Sequence, residues 1–300
     1  MEKRKLGKSD IYVSEIGFGC MSLPLDQLNA NNIIQVALDN GINYFDTADL
    51  YDKGENEKIV GNALKNYRKD IILATKVGNR LNESGEGWTW DASKEWITTS
   101  VHESLKRLQT DYIDVYQLHG GTMEDDVDGV IDTMESLKKD GLIREYGISS
   151  IRPNVIDRFL SKSNAVSVMM QYSLLDRRPE EWLSLFEKNE VSLLTRGTLA
   201  RGLLTPEGLI RANKTEEYLS YSKGELIETI EKLFTLKQPL NSIALKYVLQ
   251  RKVTGSMIIG ASNMEQLIET IGSYKYPLPG DILDKASEIT KQEIYREHRE

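Results

Sequence analysis

Ile16-Gly-Phe-Gly-Cys-Met-Ser22 is the stretch on which the fold turns. Its first four residues read as a short apolar strand, and the residues just after them decide between two architectures built from alternating strands and helices. An open, doubly wound sheet begins with a glycine-rich phosphate turn that runs straight into a helix. Here the third glycine and the helix start are both missing. Outward from this stretch, apolar runs rich in β-branched residues alternate with amphipathic segments, each pair occupying roughly 30 to 40 residues, as βα units should. Strands are expected at Ile16–Gly19, Tyr44–Thr47, Ile71–Lys76, Ile113–His119, Arg144–Ile148, Val166–Met170, Val191–Thr195 and Ser256–Gly260. Helices are expected at Asn31–Asn40, Asn56–Lys65, Ser93–Arg107, Val127–Asp140, Pro153–Leu160, Glu181–Lys188, Ser242–Gln250 and Met264–Ile271. Eight such units are the number that closes a parallel sheet into an α/β fold of the (β/α)8 TIM-barrel class.

Local signals agree with these boundaries. Ser93 can cap the third helix, Pro153 opens the fifth, and Gly41 and Gly141 stand just past helix ends. Lys3–Val13 reads as an N-terminal β-hairpin closing the barrel floor, and Pro279–Arg299 as a C-terminal helical extension. Thr198–Lys223 is expected to be a long insertion after the seventh strand, at the barrel end where long loops tend to be functional.

The chain has 300 residues, 40% hydrophobic and 28% charged. A barrel of about 250 residues with additions accounts for residues 1–300 as a single domain. No apolar run approaches the roughly 20 residues of a membrane span, and the polar start Met1-Glu-Lys-Arg-Lys5 lacks the apolar core of a secretory signal. Cys20 is the only cysteine, which excludes an intramolecular disulfide and a cysteine zinc site and suits a cytoplasmic location. A formal charge of −8, with Lys and Arg scattered, argues against a nucleic-acid partner.

In a parallel barrel the working groups lie where strands end. Asp46, Lys76 and His119 terminate the second, third and fourth strands, and Tyr51 comes next on the loop after Asp46. A phenol is a poor acid at neutral pH, and a neighbouring ammonium favours its phenolate. Asp46 would pair with Lys76, and His119 would hydrogen-bond an oxygen on which negative charge develops. Each residue alone has a plainer use: Asp46 as a helix cap, Tyr51 as one of 14 packing tyrosines, Lys76 as a solvated charge, His119 as a structural histidine. Their joint placement is what points to protonation of a carbonyl oxygen.

At these residues the chain resembles the aldo-keto reductase superfamily. Gly41-Ile-Asn-Tyr-Phe-Asp-Thr-Ala-Asp-Leu-Tyr51, continuing to Gly61, resembles the signature around the catalytic Asp and Tyr. Ile72-Leu-Ala-Thr-Lys76 is similar to the Lys motif, Ser104 to His119 to the His motif, and Gly141 to Ser149 to the fifth-strand motif. The likeness covers nearly the whole chain and lies closest to bacterial NADP-dependent members. It implies an NADP(H)-dependent oxidoreductase in which hydride reduces an aldehyde or ketone, with Asp46, Tyr51, Lys76 and His119 catalytic and no metal required. NAD(H) stays open as a second cofactor. The resemblance further implies that Ser149, Ser150 and Gln171 meet the nicotinamide amide, with Gly19, Cys20 and Met21 beneath ring and ribose and Asp46 nearby. Arg196, Gly197, Leu199, Arg201 and Gly202 would wrap ring and pyrophosphate, and Gly260, Ser262, Asn263, Gln266 and Glu269 would meet the adenosine phosphate end.

Four positions depart from the family pattern. Arg196 stands where an aromatic residue often stacks, Ser150 and Thr270 replace asparagines, and Gln266 occupies a place where many members carry an Arg for the 2′-phosphate. Trp88 and Trp90, in the Glu83–Asp91 loop, are expected to wall the substrate pocket. The partner expected is a small carbonyl compound, with neither nucleic acid nor membrane, on a monomer or weak homo-oligomer. Two other functions compete: an NADPH-binding regulatory subunit with little turnover, and an unrelated sugar isomerase or hydrolase barrel, for which the strand ends lack metal ligands and paired carboxylates.

Overall fold

The computed structural model describes residues 1–82, 84 and 86–297. Glu83 and Gly85 of the expected tryptophan loop, and residues 298–300 of the tail, lie outside the described residues. Among the described residues, eight parallel strands close a barrel: β1 (Ile16–Gly19), β2 (Tyr44–Asp46), β3 (Ile72–Val77), β4 (Ile113–Leu118), β5 (Ile143–Ser149), β6 (Ser167–Gln171), β7 (Ser192–Arg196) and β8 (Thr254–Ile259). Sequence neighbours pair throughout, and β8 returns to β1 with Met257 opposite Ile16. Around it run α1 (Gln27–Asp39), α2 (Glu55–Leu64), α3 (Lys94–Leu108), α4 (Val127–Lys139), α5 (Pro153–Leu160), α6 (Leu183–Lys188), α7 (Gly208–Asn213), α8 (Lys223–Phe234), α9 (Leu240–Leu249), α10 (Met264–Lys275) and α11 (Ile282–Ile289).

All eight expected strands form, and the capping signals operate as read. The Ser93 side chain accepts from the Trp96 N–H at 3.2 Å, and Pro153 opens α5. The floor hairpin pairs Lys3–Lys5 with Tyr12–Ser14. Its Leu6, Ile11 and Val13 pack against Tyr44, Ala74, Val115, Met169, Leu194 and Ile258 in one buried cluster inside the barrel. Successive strand side chains point to opposite faces, so the next inward positions, two residues nearer the strand ends, are Asp46, Lys76, Gln117, Gln171 and Arg196. An apolar plug thus fills the lower barrel, and a polar layer lies above it at the strand ends. A larger apolar shell joins the outer strand faces to the helices.

Two connections are more ordered than a loop reading suggests. The segment after β3 folds as an antiparallel ribbon of Asn79–Leu81 against Trp88–Trp90. The insertion after β7 contains α7, a short ribbon of Glu217–Tyr218 with Tyr221–Ser222, and leads into α8, a helix absent from the eight expected of the sequence. In α8 the buried Leu226, Ile230 and Leu233 lie one helical turn apart, and a capping box between Ser222 and Glu225 starts the helix. No helix among the described residues is long and apolar enough to cross a membrane.

Candidate active site

Asp46, Lys76 and His119 come from the ends of three adjacent strands and converge with Tyr51 at the C-terminal mouth of the barrel. The Lys76 side chain is fully buried. Its Nζ donates to Asp46 Oδ2 at 2.6 Å, to the Thr47 carbonyl at 2.7 Å and to the Tyr51 hydroxyl at 3.4 Å. Those three acceptors match the three N–H donors of an ammonium. The second Asp46 oxygen accepts from Gln117 Nε2 at 3.0 Å. Burial works against the Lys76 charge, but the Asp46 carboxylate and the Tyr51 oxygen outweigh it and hold the ammonium above the usual lysine range. The helix-cap reading of Asp46 therefore gives way to an ion pair.

Tyr51 begins a tight turn to Gly54 in which Asp52 and Lys53 adopt left-handed φ of 48° and 57°. That turn keeps the phenol over the Lys76 ammonium, which lies 5.0 Å from the ring centre. The His119 ring meets the Tyr51 ring edge-on, with centroids 6.1 Å apart. Burial first, and then the positive charges of Lys76 and Arg196, push the imidazole down to about 3, so it is neutral at ordinary pH. Its Nδ1 is buried without a hydrogen-bond partner among the described residues.

Trp90 fixes the chain beside His119. Its ring packs on the backbone of Gly78 and Gly120, where an added Cβ would lie 2.5 Å and 2.9 Å from it, so neither position has room for a side chain. The indole N–H donates to Asp125 at 2.8 Å, and Asn79 Nδ2 donates to the His119 carbonyl at 3.0 Å. Trp90 thus packs as a wedge between the two strand ends, and Trp88 is 53% exposed on the same ribbon.

A groove of about 480 Å³ lies just past the ends of β7 and β8, lined by Gly197, Leu199, Arg201, Gly202, Gly260, Gln266 and Glu269 among others. These are seven of the positions expected to hold a dinucleotide. Ser262 donates to the Gln266 side chain through its N–H at 3.0 Å, and Asn263 caps α10 through the Gln266 N–H. At the inner end, Gln171 and Arg196 face each other in register across β6 and β7. Ser149 ends β5, and the Ser150 hydroxyl accepts from the Arg152 N–H at 3.2 Å. Gly19 ends β1, Met21 is exposed, and Cys20 is wholly buried, which pushes its thiol up, while its carbonyl accepts from Asn56 Nδ2 at 2.8 Å.

Sequence reasoning missed Gln117, Arg211 and Asn241. Gln117 was legible, because it lies two residues before His119 and therefore on the same strand face. Arg211 and Asn241 line the groove from α7 and α9, and nothing in their local sequence marks them.

A family model described as the aldo/keto reductase family matches residues 15–291. The chain is 51% identical over 305 residues to the uncharacterized oxidoreductase YqkF of Bacillus subtilis (strain 168), covering 100% of both chains. It is similar to the solved aldo-keto reductase AKR11C1 from Bacillus halodurans, with a TM-score of 0.94 and 51% identity to the holo form over 100% of both chains. Against the apo form of that protein the TM-score is 0.85 and the identity 47%, again over 100% of both chains.

Proposed function

The chain belongs to the aldo/keto reductase family of oxidoreductases, and from that membership we propose that it reduces an aldehyde or ketone to the alcohol with NADPH, Tyr51 giving the proton. The single observation that carries this reading is the buried Lys76–Asp46 pair with the Tyr51 hydroxyl 3.4 Å from the ammonium.

The groove suits a dinucleotide. Arg201 and Arg211 offer cationic donors to phosphate oxygens, Gln266 and Glu269 offer polar ends to an adenosine, and the inner end at Gly197 adjoins Gln171 and Arg196. Bound NADPH supplies the hydride that reduces the carbonyl carbon. Tyr51 hydrogen-bonds the carbonyl oxygen and passes its proton there as negative charge develops. Lys76 then faces the phenolate left behind with a full positive charge, and Asp46 keeps that charge in place. His119, neutral because its pKa is depressed to about 3, contributes a hydrogen bond to the same oxygen and does not compete as an acid. The phenol regains its proton from solvent, which completes the balance of one hydride and one proton added across the C=O bond.

The test is a titration of tryptophan fluorescence with NADPH and NADH, and then a panel of small aldehydes and ketones with the tighter cofactor. NADPH consumption that disappears in Tyr51→Phe while cofactor binding persists is the expected result. Undiminished turnover by that variant overturns the assignment, and tight NADPH binding without turnover of any carbonyl points to a regulatory, cofactor-sensing role instead.

A further inference from the structure

Asp176 is a buried carboxylate with no part in the proton and hydride transfers. It is 1% exposed and closes a tight turn after β6, in which Ser173 and Asp176 exchange backbone hydrogen bonds. Its Oδ2 accepts from Gln171 Nε2 at 2.9 Å and from Arg178 Nη2 at 2.8 Å, and its Oδ1 accepts from Arg178 Nε at 2.7 Å. An ionised carboxylate can only accept, so the Gln171 amide must turn its NH2 end inward. At the opposite end the Arg196 guanidinium, which can only donate, gives an N–H to Gln171 Oε1 at 3.3 Å. Two partners of opposite character therefore select one of the two orientations open to a side-chain amide. The carbonyl end faces the exposed Arg196 and the mouth of the barrel.

The same carboxylate leads to the C-terminal segment. The Arg178 guanidinium lies over the buried Tyr295 ring, 4.6 Å from its centre. The segment is pinned again where the Lys291 N–H donates to the Tyr221 hydroxyl at 2.7 Å. Tyr295 therefore packs on the guanidinium of Arg178.

We propose that Asp176 is a positioning residue for the cofactor: it holds Gln171 with Oε1 toward the nicotinamide, ready to accept the carboxamide N–H, and the C-terminal segment secures it through Tyr295 and Arg178. The proposal rests on the reading of Gln171 as the nicotinamide-amide contact. Without Asp176, the amide spends part of its time reversed and presents N–H to N–H.

The experiment compares NADPH with reduced 3-acetylpyridine adenine dinucleotide phosphate, whose acetyl group has no N–H to donate. Dissociation constants are read from tryptophan quenching for the full-length protein and for Gln171→Leu, Asp176→Asn and Tyr295→Leu. Asp176→Asn is expected to weaken NADPH roughly 3- to 10-fold, the range for one lost hydrogen bond, and to leave the analogue unchanged. Tyr295→Leu gives a smaller loss with the same selectivity, and it carries the test alone if Asp176→Asn does not accumulate as folded protein. Equal weakening of both cofactors makes Asp176 merely structural and overturns the proposal, as does unchanged NADPH affinity in both Asp176→Asn and Tyr295→Leu while Gln171→Leu weakens NADPH selectively. If Gln171→Leu itself leaves NADPH affinity intact, the failure lies in the underlying reading of Gln171, and the proposal falls with it.

Discussion

At the scale of single residues, the site depends on how burial is compensated. Lys76 keeps its charge inside the barrel because Asp46, Thr47 and Tyr51 supply one acceptor for each of its N–H groups. In the proposed reaction, removing the phenol hydroxyl in Tyr51→Phe deletes the general acid, and the usual size of that contribution sets the expected loss at about 100- to 10,000-fold in kcat. Steady-state kinetics beside a binding titration measure it. His119 makes an opposite kind of prediction. Its imidazole loses its proton near 6.5 when exposed and near 3 in the folded chain, so between those values the unfolded chain binds more protons. Stability should therefore be complete above about pH 6.5 and fall as pH drops toward 3, by up to about 1.4 kcal/mol per pH unit. Denaturant melts at pH 4.5 and 7.5, of the parent and of His119→Gln, check this, with a shallower pH dependence expected in the variant. Parallel behaviour of the two proteins would place the acid sensitivity elsewhere. Asp46, Lys76 and His119 were legible because strand ends are a geometric prior for a parallel barrel, and Tyr51 because it follows Asp46 on the next loop. Gln117 was not singled out, although its spacing from His119 was available, because a neutral amide carries no signal of its own.

At the scale of elements, the ribbon of Asn79–Leu81 with Trp88–Trp90 braces two strand ends at once. Its Trp90 leans on the residues after Lys76 and after His119 and is anchored through its indole N–H to the Asp125 carboxylate. Trp90→Phe keeps most of the ring and loses that hydrogen bond, which costs about 1.5 to 3 kcal/mol when the acceptor is charged. Because the wedge touches the chain beside His119, kcat should fall while NADPH affinity is kept. A lowered Tm with unaltered kcat would assign the ribbon to stability alone. The ribbon reads as a loop in the sequence because each of its strands has only three residues, too few for period-two alternation to register. The helix α8 was overlooked for a different reason. Its apolar residues Leu226, Ile230 and Leu233 have helical spacing, but the eight-unit count was already full without it.

At the scale of the whole molecule, the barrel keeps its apolar plug and its polar strand-end layer apart along its axis. Leu6, on the floor hairpin, is fully buried against the interior plug at the end opposite Asp46, Lys76 and His119. Leu6→Ala should cost about 2 to 5 kcal/mol, as truncation of a buried leucine does, with kcat per folded molecule unaltered. Chemical denaturation and active-site titration together measure both, and a matching loss of kcat would show that the floor and the mouth are coupled. By itself, the sequence determined the repeating unit, the closure at eight strands, the floor hairpin and the convergence of Asp46, Tyr51, Lys76 and His119. All of these come from local periodicity and from the rule that parallel strand ends share one face. Only the tertiary structure decided that Trp90 is a wedge, that Arg211 and Asn241 reach the groove, and that Asp176 ties Gln171 to the C-terminal segment. Those contacts join residues whose neighbours in the chain say nothing about them, since their roles are fixed by distances across packed elements and by which buried groups lack another partner.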